Sequence, residues 1–376
     1  MKIVADENIP LLQEFFADLG QLATRPGRLL TMSDVADADA LLLRSVTRAD
    51  RSLLQDSRVR FVGTATIGTD HLDLPWLEQA GIATTSAPGC NARAVAEYVV
   101  AALLELCPAA PQGQTLGVVG LGNVGRQVAR LAACLGWRVV GHDPWASLSG
   151  VEPLALRDLL ASADVVCLHT PLTRSGPHPT WHLLSAPELA LLRPGAILLN
   201  AGRGPVIDNA ALLLALRAGR LRAVLDVWES EPALAPALLE QVNLGTPHIA
   251  GYSLEGKWRG TQQVYEGLCA YLGRQPDRAY LDFVPALAGP VQVLPPDDVW
   301  ATVRHAVRLA CDIRRDDAAL RQAQLQARPE LVFDELRRHY PARREFAAHR
   351  LSLPRSHGAC ATLEALGFRV VEPVSS

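Results

Sequence analysis

"VGLGNVGRQVARLAACLGWRVVGHDP", Val119–Pro144, decides the fold. "TLGVVG" around its start is a short apolar run and reads as a strand. "NVGRQVARLAACLG" repeats apolar residues at helical spacing and ends in glycine. "RVVGHD" reads as the next strand, with Asp143 at its end. Gly120, Gly122 and Gly125 fill the turn between strand and helix, and each has a physical reason. The first permits the tight turn, the second lets backbone approach a pyrophosphate, and the third allows close helix–strand packing. The helix N-terminus then faces the phosphates. Asp143 lies 23 positions after Gly120, where a carboxylate bonds a ribose 2′-hydroxyl and repels a 2′-phosphate. A bare glycine turn needs no ligand, and Asp143 before Pro144 could be a simple turn carboxylate. The complete strand–helix–strand unit makes NAD the expected cofactor.

Outward from this unit, apolar strand-like runs recur: "KIVAD", "ALLLRS", "RFVGTA", "DVVCLHT", "AILLNAG" and "AVLDVW". Helical patterns separate most of them, which predicts an α/β fold with parallel sheets buried on both faces. "NARAVAEYVVAALLEL", Asn91–Leu106, reads as one long helix leading from a first lobe into the nucleotide domain. A further helical stretch follows "TPHIAGY", runs to about Leu272 and returns to the first lobe. The first lobe is therefore expected to be discontinuous. "VPALAGPVQVLPPDD", Val284–Asp298, is rich in proline and glycine and reads as a boundary. Beyond it Val299, Val303, Ala306, Val307 and Ala310 recur at helical spacing and open a third, small domain.

Bulk properties exclude several classes. The 376 residues exceed one ordinary domain. A net charge of -3 leaves no large basic field for nucleic acid. No apolar run reaches the roughly 18 residues of a membrane span. "MKIVADENIP" has no signal-peptide pattern, so a cytoplasmic location is expected. The seven cysteines form no CxxC pair, which fits free thiols and no metal site.

Three later strands end in polar residues, where open α/β sheets place ligands. "LLNAGRGPVID" contributes Arg203, "LDVWESEP" Glu231 and "GTPHIAGY" His248. Oxidising an alcohol needs a base for its proton, a cation for the carboxylate or carbonyl, and a nicotinamide for the hydride. Histidine suits the first role, with a carboxylate holding the ring. Arginine suits the second. Taken singly, each has a plainer reading: a turn arginine, a charge at a helix start, a loop histidine.

The glycine fingerprint, "NAGRG", "DVWESEP" and "TPHIAG" resemble the D-isomer-specific 2-hydroxyacid dehydrogenases. That resemblance implies catalytic roles for Arg203, Glu231 and His248. It implies a Rossmann-type doubly wound parallel sheet inserted into a discontinuous flavodoxin-like substrate domain, plus a small C-terminal α+β dimerisation domain. The implied ranges are 1–97 and 248–284 for substrate binding, 98–247 for NAD, and 285–376 for dimerisation into a homodimer. "LLLRSVT", "FVGTATIGTDHLD", "HTPLTRSGPHPTWHLL", "PHIAGYSLEGKWRG" and "YPARREF" resemble one branch of the family, which oxidises a phosphorylated four-carbon 2-hydroxy acid. By position, the resemblance implies substrate contacts from Ser45, Thr66 and Tyr252. It implies NAD contacts from Asn123, Val124, Asp143, Thr170, Ala201, Arg203, Asp226 and Gly251, beside Gly120, Gly122 and Gly125. Ser45 and Thr66 could equally be turn caps. Arg44, Arg343 and Arg344 are candidates for the substrate phosphate, the last two with a solvated helix face as the alternative. A phosphoglycerate- or glyoxylate-type enzyme and an NAD-sensing binding protein stay open as other readings.

Overall fold

The computed structural model describes residues 1–107, 110–283, 291–292 and 298–373. The chain forms two compact units, Met1–Asn91 with Ser253–Ala286, and Ala92–Tyr252 with Leu287–Ser376.

The first unit is built on five parallel strands: β1 (Lys2–Asp6), β2 (Gln21–Arg25), β3 (Ala40–Leu43), β4 (Phe61–Thr64) and β5 (Ala83–Thr85). Their order is β2-β1-β3-β4-β5, the flavodoxin-like arrangement. Alternation along each strand divides two cores. Ile3, Ala5, Leu42 and Phe61 pack with Phe15, Phe16, Tyr265 and Leu268. Val4, Leu41, Leu43 and Val62 pack with Val35, Leu54 and Leu77. Tyr265 and Leu268 belong to the helix Leu254–Tyr271, so the segment after "TPHIAGY" is helical as its periodicity predicts, and it covers this sheet. Gly63 permits the approach: a Cβ there would stand 2.6 Å from Val264.

The second unit holds seven parallel strands: β6 (Thr115–Val119), β7 (Arg138–His142), β8 (Glu152–Pro153), β9 (Val165–Leu168), β10 (Ile197–Asn200), β11 (Arg222–Leu225) and β12 (Leu244–Gly245). Their order is β12-β11-β10-β9-β6-β7-β8. The winding reverses between β6 and β9, and ligands bind beyond the carboxyl ends of strands at such a reversal. Gly120 and His169 sit there. The helix Asn123–Cys134 follows β6 as read, and the helix Ala92–Leu106 is buried along nearly its whole length.

The later part of the chain packs on the same unit. It contributes the helices Val299–Ala310, Ile313–Ala323 and Pro329–Arg338. A small parallel sheet joins β13 (Val291–Gln292), β14 (Arg350–Ser352) and β15 (Arg369–Val371). Val303, Val307, Phe346 and Leu363 share one core with Tyr98, Val99 and Leu103. Polar clamps reinforce it: Asp317 accepts the Gly245 N–H at 2.7 Å, and Arg321 donates to the carbonyls of Leu239 and Val242. Most of the expected boundary Val284–Asp298 lies outside the described residues.

Arg343 turns out to be a structural residue. It is 8% exposed and donates to the carbonyls of Ala94 at 3.2 Å and Ala250 at 2.5 Å. Its terminal nitrogens are thus tied to backbone, one of the carbonyls lying two residues beyond His248. Removing the guanidinium would take away the donor to the Ala250 carbonyl; the Ala94 carbonyl keeps its helix hydrogen bond. Arg343→Met is expected to cost about 2–4 kcal/mol, measured as a lowered urea midpoint. An unchanged midpoint would rule out the clamp.

Candidate active site

The glycine loop is shaped as its sequence requires. Gly120 takes φ +92, and a Cβ there would stand 2.8 Å from the His169 carbonyl carbon. A Cβ at Gly125 would stand 1.9 Å from the Gly120 oxygen. Gly122 caps the helix start and faces open space. The Asp143 carboxylate reaches back across the loop. Its Oδ2 accepts the Leu121 N–H at 2.8 Å, and its Oδ1 accepts the N–H groups of Trp145 and Ala146. Asp143 therefore does cap a turn, and Oδ2 keeps a lone pair for another donor.

Facing this loop, at the end of β9, three buried side-chain atoms have no partner among the described residues: both ring nitrogens of His169 and the hydroxyl of Thr170. Burial pushes the His169 imidazole down to about 3, so it is neutral at working pH. Orphaned polar atoms beside a glycine cradle at the sheet reversal fit a bound dinucleotide, which would supply the missing partners.

The second cluster gathers around Asp226, just past β11. Its carboxylate is fully buried and collects the turn that follows β12. Oδ1 accepts from the Thr246 hydroxyl at 2.6 Å and the Ile249 N–H at 2.8 Å, and Oδ2 from the Ala250 N–H at 2.9 Å. The Asp226 carbonyl accepts the His248 N–H at 2.8 Å. Burial pushes this carboxyl up, against the pull of His248 and these hydrogen bonds. Tyr98, from the helix Ala92–Leu106, closes the network on Thr246 at 2.7 Å.

His248 stands on that turn with φ +56, a backbone state that side chains rarely adopt. Its Nδ1 is 2.7 Å from Glu231 Oε2. A hydrogen on Nδ1 donated to the carboxylate leaves Nε2 as the basic nitrogen. Glu231 Oε1 accepts the Trp228 N–H at 2.8 Å. Burial works to raise the Glu231 carboxyl, but the charge and hydrogen bond of His248, the Trp228 N–H and Arg337 together hold it below the usual carboxylate range.

Arg203 lies on the loop after β10. Asn200 holds this loop, accepting the Gly202 N–H at 3.0 Å and donating to the Arg203 carbonyl at 2.9 Å. Gly204 must be glycine, because a Cβ would stand 2.0 Å from the Trp228 oxygen. The Arg203 loop and the turn before Glu231 are thus pressed together. His248, Glu231, Asp226, Arg203 and Tyr252 all belong to the second unit.

Ser45 and Thr66 belong to the first unit, each just past a strand end. Ser45 is exposed. The Thr66 hydroxyl lies 2.8 Å from that of Thr64 and 3.0 Å from the Gly68 carbonyl. Arg44 pairs with the buried Asp6 at 3.2 Å.

Sequence reading missed the supporting polar residues. Tyr98, Thr246 and Asn200 hold the site, yet each looks ordinary in an apolar run. It also missed a second histidine–carboxylate pair, His182 Nε2 with Glu229 Oε1 at 2.6 Å, on which Trp181 stacks. "TWH" beside "WESE" was the available signal.

A family model described as "D-isomer specific 2-hydroxyacid dehydrogenase, NAD binding domain" matches residues 101–250. A second, described as a domain of unknown function, matches residues 291–367. The chain is 50% identical over 355 residues to the erythronate-4-phosphate dehydrogenase of Pseudomonas putida (strain GB-1), covering 92% of this chain and 93% of that one. The protein of the same name from Acinetobacter baylyi is 46% identical over 353 residues, covering 93% and 99%. The chain belongs to the erythronate-4-phosphate dehydrogenase family. It is thus an NAD-dependent 2-hydroxyacid dehydrogenase. Among solved structures, a Thermus thermophilus protein superposes with TM-score 0.66 at 29% identity, covering 74% of this chain and 99% of that one. Aquifex aeolicus D-lactate dehydrogenase, complexed with NAD and lactic acid, gives TM-score 0.62 at 24% identity over 73% and 96%, a likeness of fold.

In a family that binds NAD, the glycine cradle can be tested directly. The methyl of Gly125→Ala collides with the Gly120 carbonyl. The Kd for NADH, followed by its fluorescence, is expected to rise at least ~10-fold, equivalent to ~1.4 kcal/mol. An unchanged Kd would show that this loop does not hold the dinucleotide.

Proposed function

We propose that this chain oxidises 4-phospho-D-erythronate with NAD to 2-oxo-3-hydroxy-4-phosphobutanoate and NADH, in the biosynthesis of pyridoxal 5′-phosphate. One observation carries the choice of substrate: about half of all residues are identical to enzymes named for that acid, over nearly the full chain. The His248–Glu231 pair at 2.7 Å supports the chemistry.

His248 Nε2 takes the C2 hydroxyl proton. Glu231 stabilises the imidazolium that results, and Trp228 holds Glu231 in place. Arg203 binds the C1 carboxylate and polarises the carbonyl as it forms. When bound, NAD accepts the C2 hydride on its nicotinamide. The helix start at Asn123 and Val124 and the glycines Gly120, Gly122 and Gly125 hold the pyrophosphate. Asp143 takes a ribose hydroxyl, Thr170, Ala201 and Gly251 line the remaining cofactor surface, and the buried Asp226 acts on it by holding the turn that carries Gly251. Ser45, Thr66 and Tyr252 bind the substrate. In this reading residues 1–97 and 248–284 form the substrate domain, 98–247 the NAD domain, and 285–376 the homodimer contact. The location is cytoplasmic. Among the described residues no helix is long and apolar enough to cross a membrane.

The test is NADH formation by purified protein with 4-phospho-D-erythronate, 3-phosphoglycerate and D-glycerate, with and without a 2-oxo acid as hydride acceptor. Preference for the four-carbon phosphate is expected. Preference for another acid keeps the reaction class and overturns the substrate. NADH binding without turnover on any acid would point to an NAD-sensing protein.

A Glu231 variant tests the pair. Glu231 stays ionised through the neutral range because its carboxyl is held low. Its charge stabilises the imidazolium that forms as the proton is taken. In Glu231→Gln kcat is expected to fall about 10–100-fold across the neutral range, with NADH binding unchanged. A kcat that stays at the wild-type value would separate Glu231 from the base.

A further inference from the structure

Arg337 lies in "DELRRHYPARREF", Asp334–Phe346, on the helix Pro329–Arg338. Its guanidinium carbon is 5.9 Å from the centre of the Tyr252 ring and 5.9 Å from that of Phe333. Tyr340 meets Tyr252 edge-on, with ring centres 6.0 Å apart. The Arg337 Nε is buried and has no hydrogen-bond partner among the described residues. A cation flanked by aromatic rings in this way is poorly hydrated, and an anion that reached it would gain strongly.

Its neighbours are differently placed. Arg321 is committed to Asp317 and to two backbone carbonyls. The terminal nitrogens of Arg343 are committed to two more, though its Nε also has no partner among the described residues. Arg315 pairs with Asp316 at 3.2 Å. Burial disfavours the Arg337 charge, but Tyr252 and Glu231 more than offset it. Glu231 shares in that charge, while its two oxygens take their hydrogen bonds from Trp228 and His248. A charged fork therefore stands against Tyr252, a tyrosine four residues past the base.

We propose that Arg337, with the hydroxyl of Tyr252, binds the phosphate group of the substrate. The assignment rests on the phosphorylated-acid reading above. The planar fork matches phosphate oxygens, and the Tyr252 hydroxyl supplies another donor. Occupied, the site gives the buried Nε of Arg337 an anionic partner. With an unphosphorylated acid that Nε stays without one, and this is how a site rejects a ligand that lacks the group. Arg337 was not among the arginines singled out from sequence; the aromatic rings on either side of it come together only in the fold.

The experiment compares wild type, Arg337→Met, Arg337→Lys and Tyr252→Phe. For each, kcat/KM is measured on 4-phospho-D-erythronate and on D-erythronate, together with inhibition by inorganic phosphate. In Arg337→Met the ratio of the two kcat/KM values is expected to fall on the order of 100-fold, mostly through KM, with inhibition by phosphate lost. Arg337→Lys should recover part of the ratio, because charge remains without the fork. A ratio and a phosphate inhibition that both survive in Arg337→Met overturn the proposal, even if both acids slow equally. NADH fluorescence shows which variants are folded. Should Arg337→Met fail to fold, Arg337→Lys and Tyr252→Phe decide by the same ratio. Wild type that turns over a different phosphorylated acid would defeat the substrate reading alone, and the ratio is then taken on that acid. Wild type that neither prefers a phosphorylated acid nor binds phosphate defeats both.

Discussion

The buried carboxylate of Asp226 is the constraint on which the site depends. It gathers a hydroxyl and two N–H groups from the turn 246–250, while its carbonyl fixes the backbone of His248. That turn holds a non-glycine residue at positive φ, a conformation that persists only where the surroundings over-determine it. Tyr98 anchors the same network from the long helix, and Arg343 pins the Ala250 carbonyl from the far end of the chain. The base is therefore held by three distant parts of the sequence. Glu231 can then meet it with one short hydrogen bond.

Parallel-sheet geometry sets where these groups meet. Every strand of the seven-stranded sheet points the same way, so the loops carrying Gly120, His169, Arg203 and Asp226 emerge from one edge. The reversal between β6 and β9 opens a crevice at that edge. Gly120 and Gly125 let the loop pack closely there, and the orphaned His169 and Thr170 atoms mark where a cofactor would complete the polar pairing.

The C-terminal part of the chain acts on the site as well as on the core. Its helices share apolar packing with the long helix, and its arginines reach into the nucleotide unit. One patch of "ELRRHYPARREF" divides two roles between neighbours: Arg343 is bound to backbone, while Arg337 faces Tyr252. Position along the chain does not tell these arginines apart. Their surroundings do.

Periodicity and glycine spacing were enough to determine the α/β class, the strand–helix–strand nucleotide unit, and the helix after "TPHIAGY", because fully buried strands and packed helices write continuous apolar patterns. The strand-end residues Arg203, Glu231 and His248 were legible for the same reason, since loops after apolar strands are where polar side chains stand out. The edge strands Gln21–Arg25, Ala83–Thr85 and Arg369–Val371 were not read. They are short and partly exposed, so no apolar run marks them. Tertiary structure alone decided that Tyr98 and Thr246 brace Asp226, that Arg343 is a clamp, and that Arg337 faces Tyr252. Each of these depends on a contact between residues far apart in sequence, and no local pattern encodes a partner that only folding brings within hydrogen-bond reach.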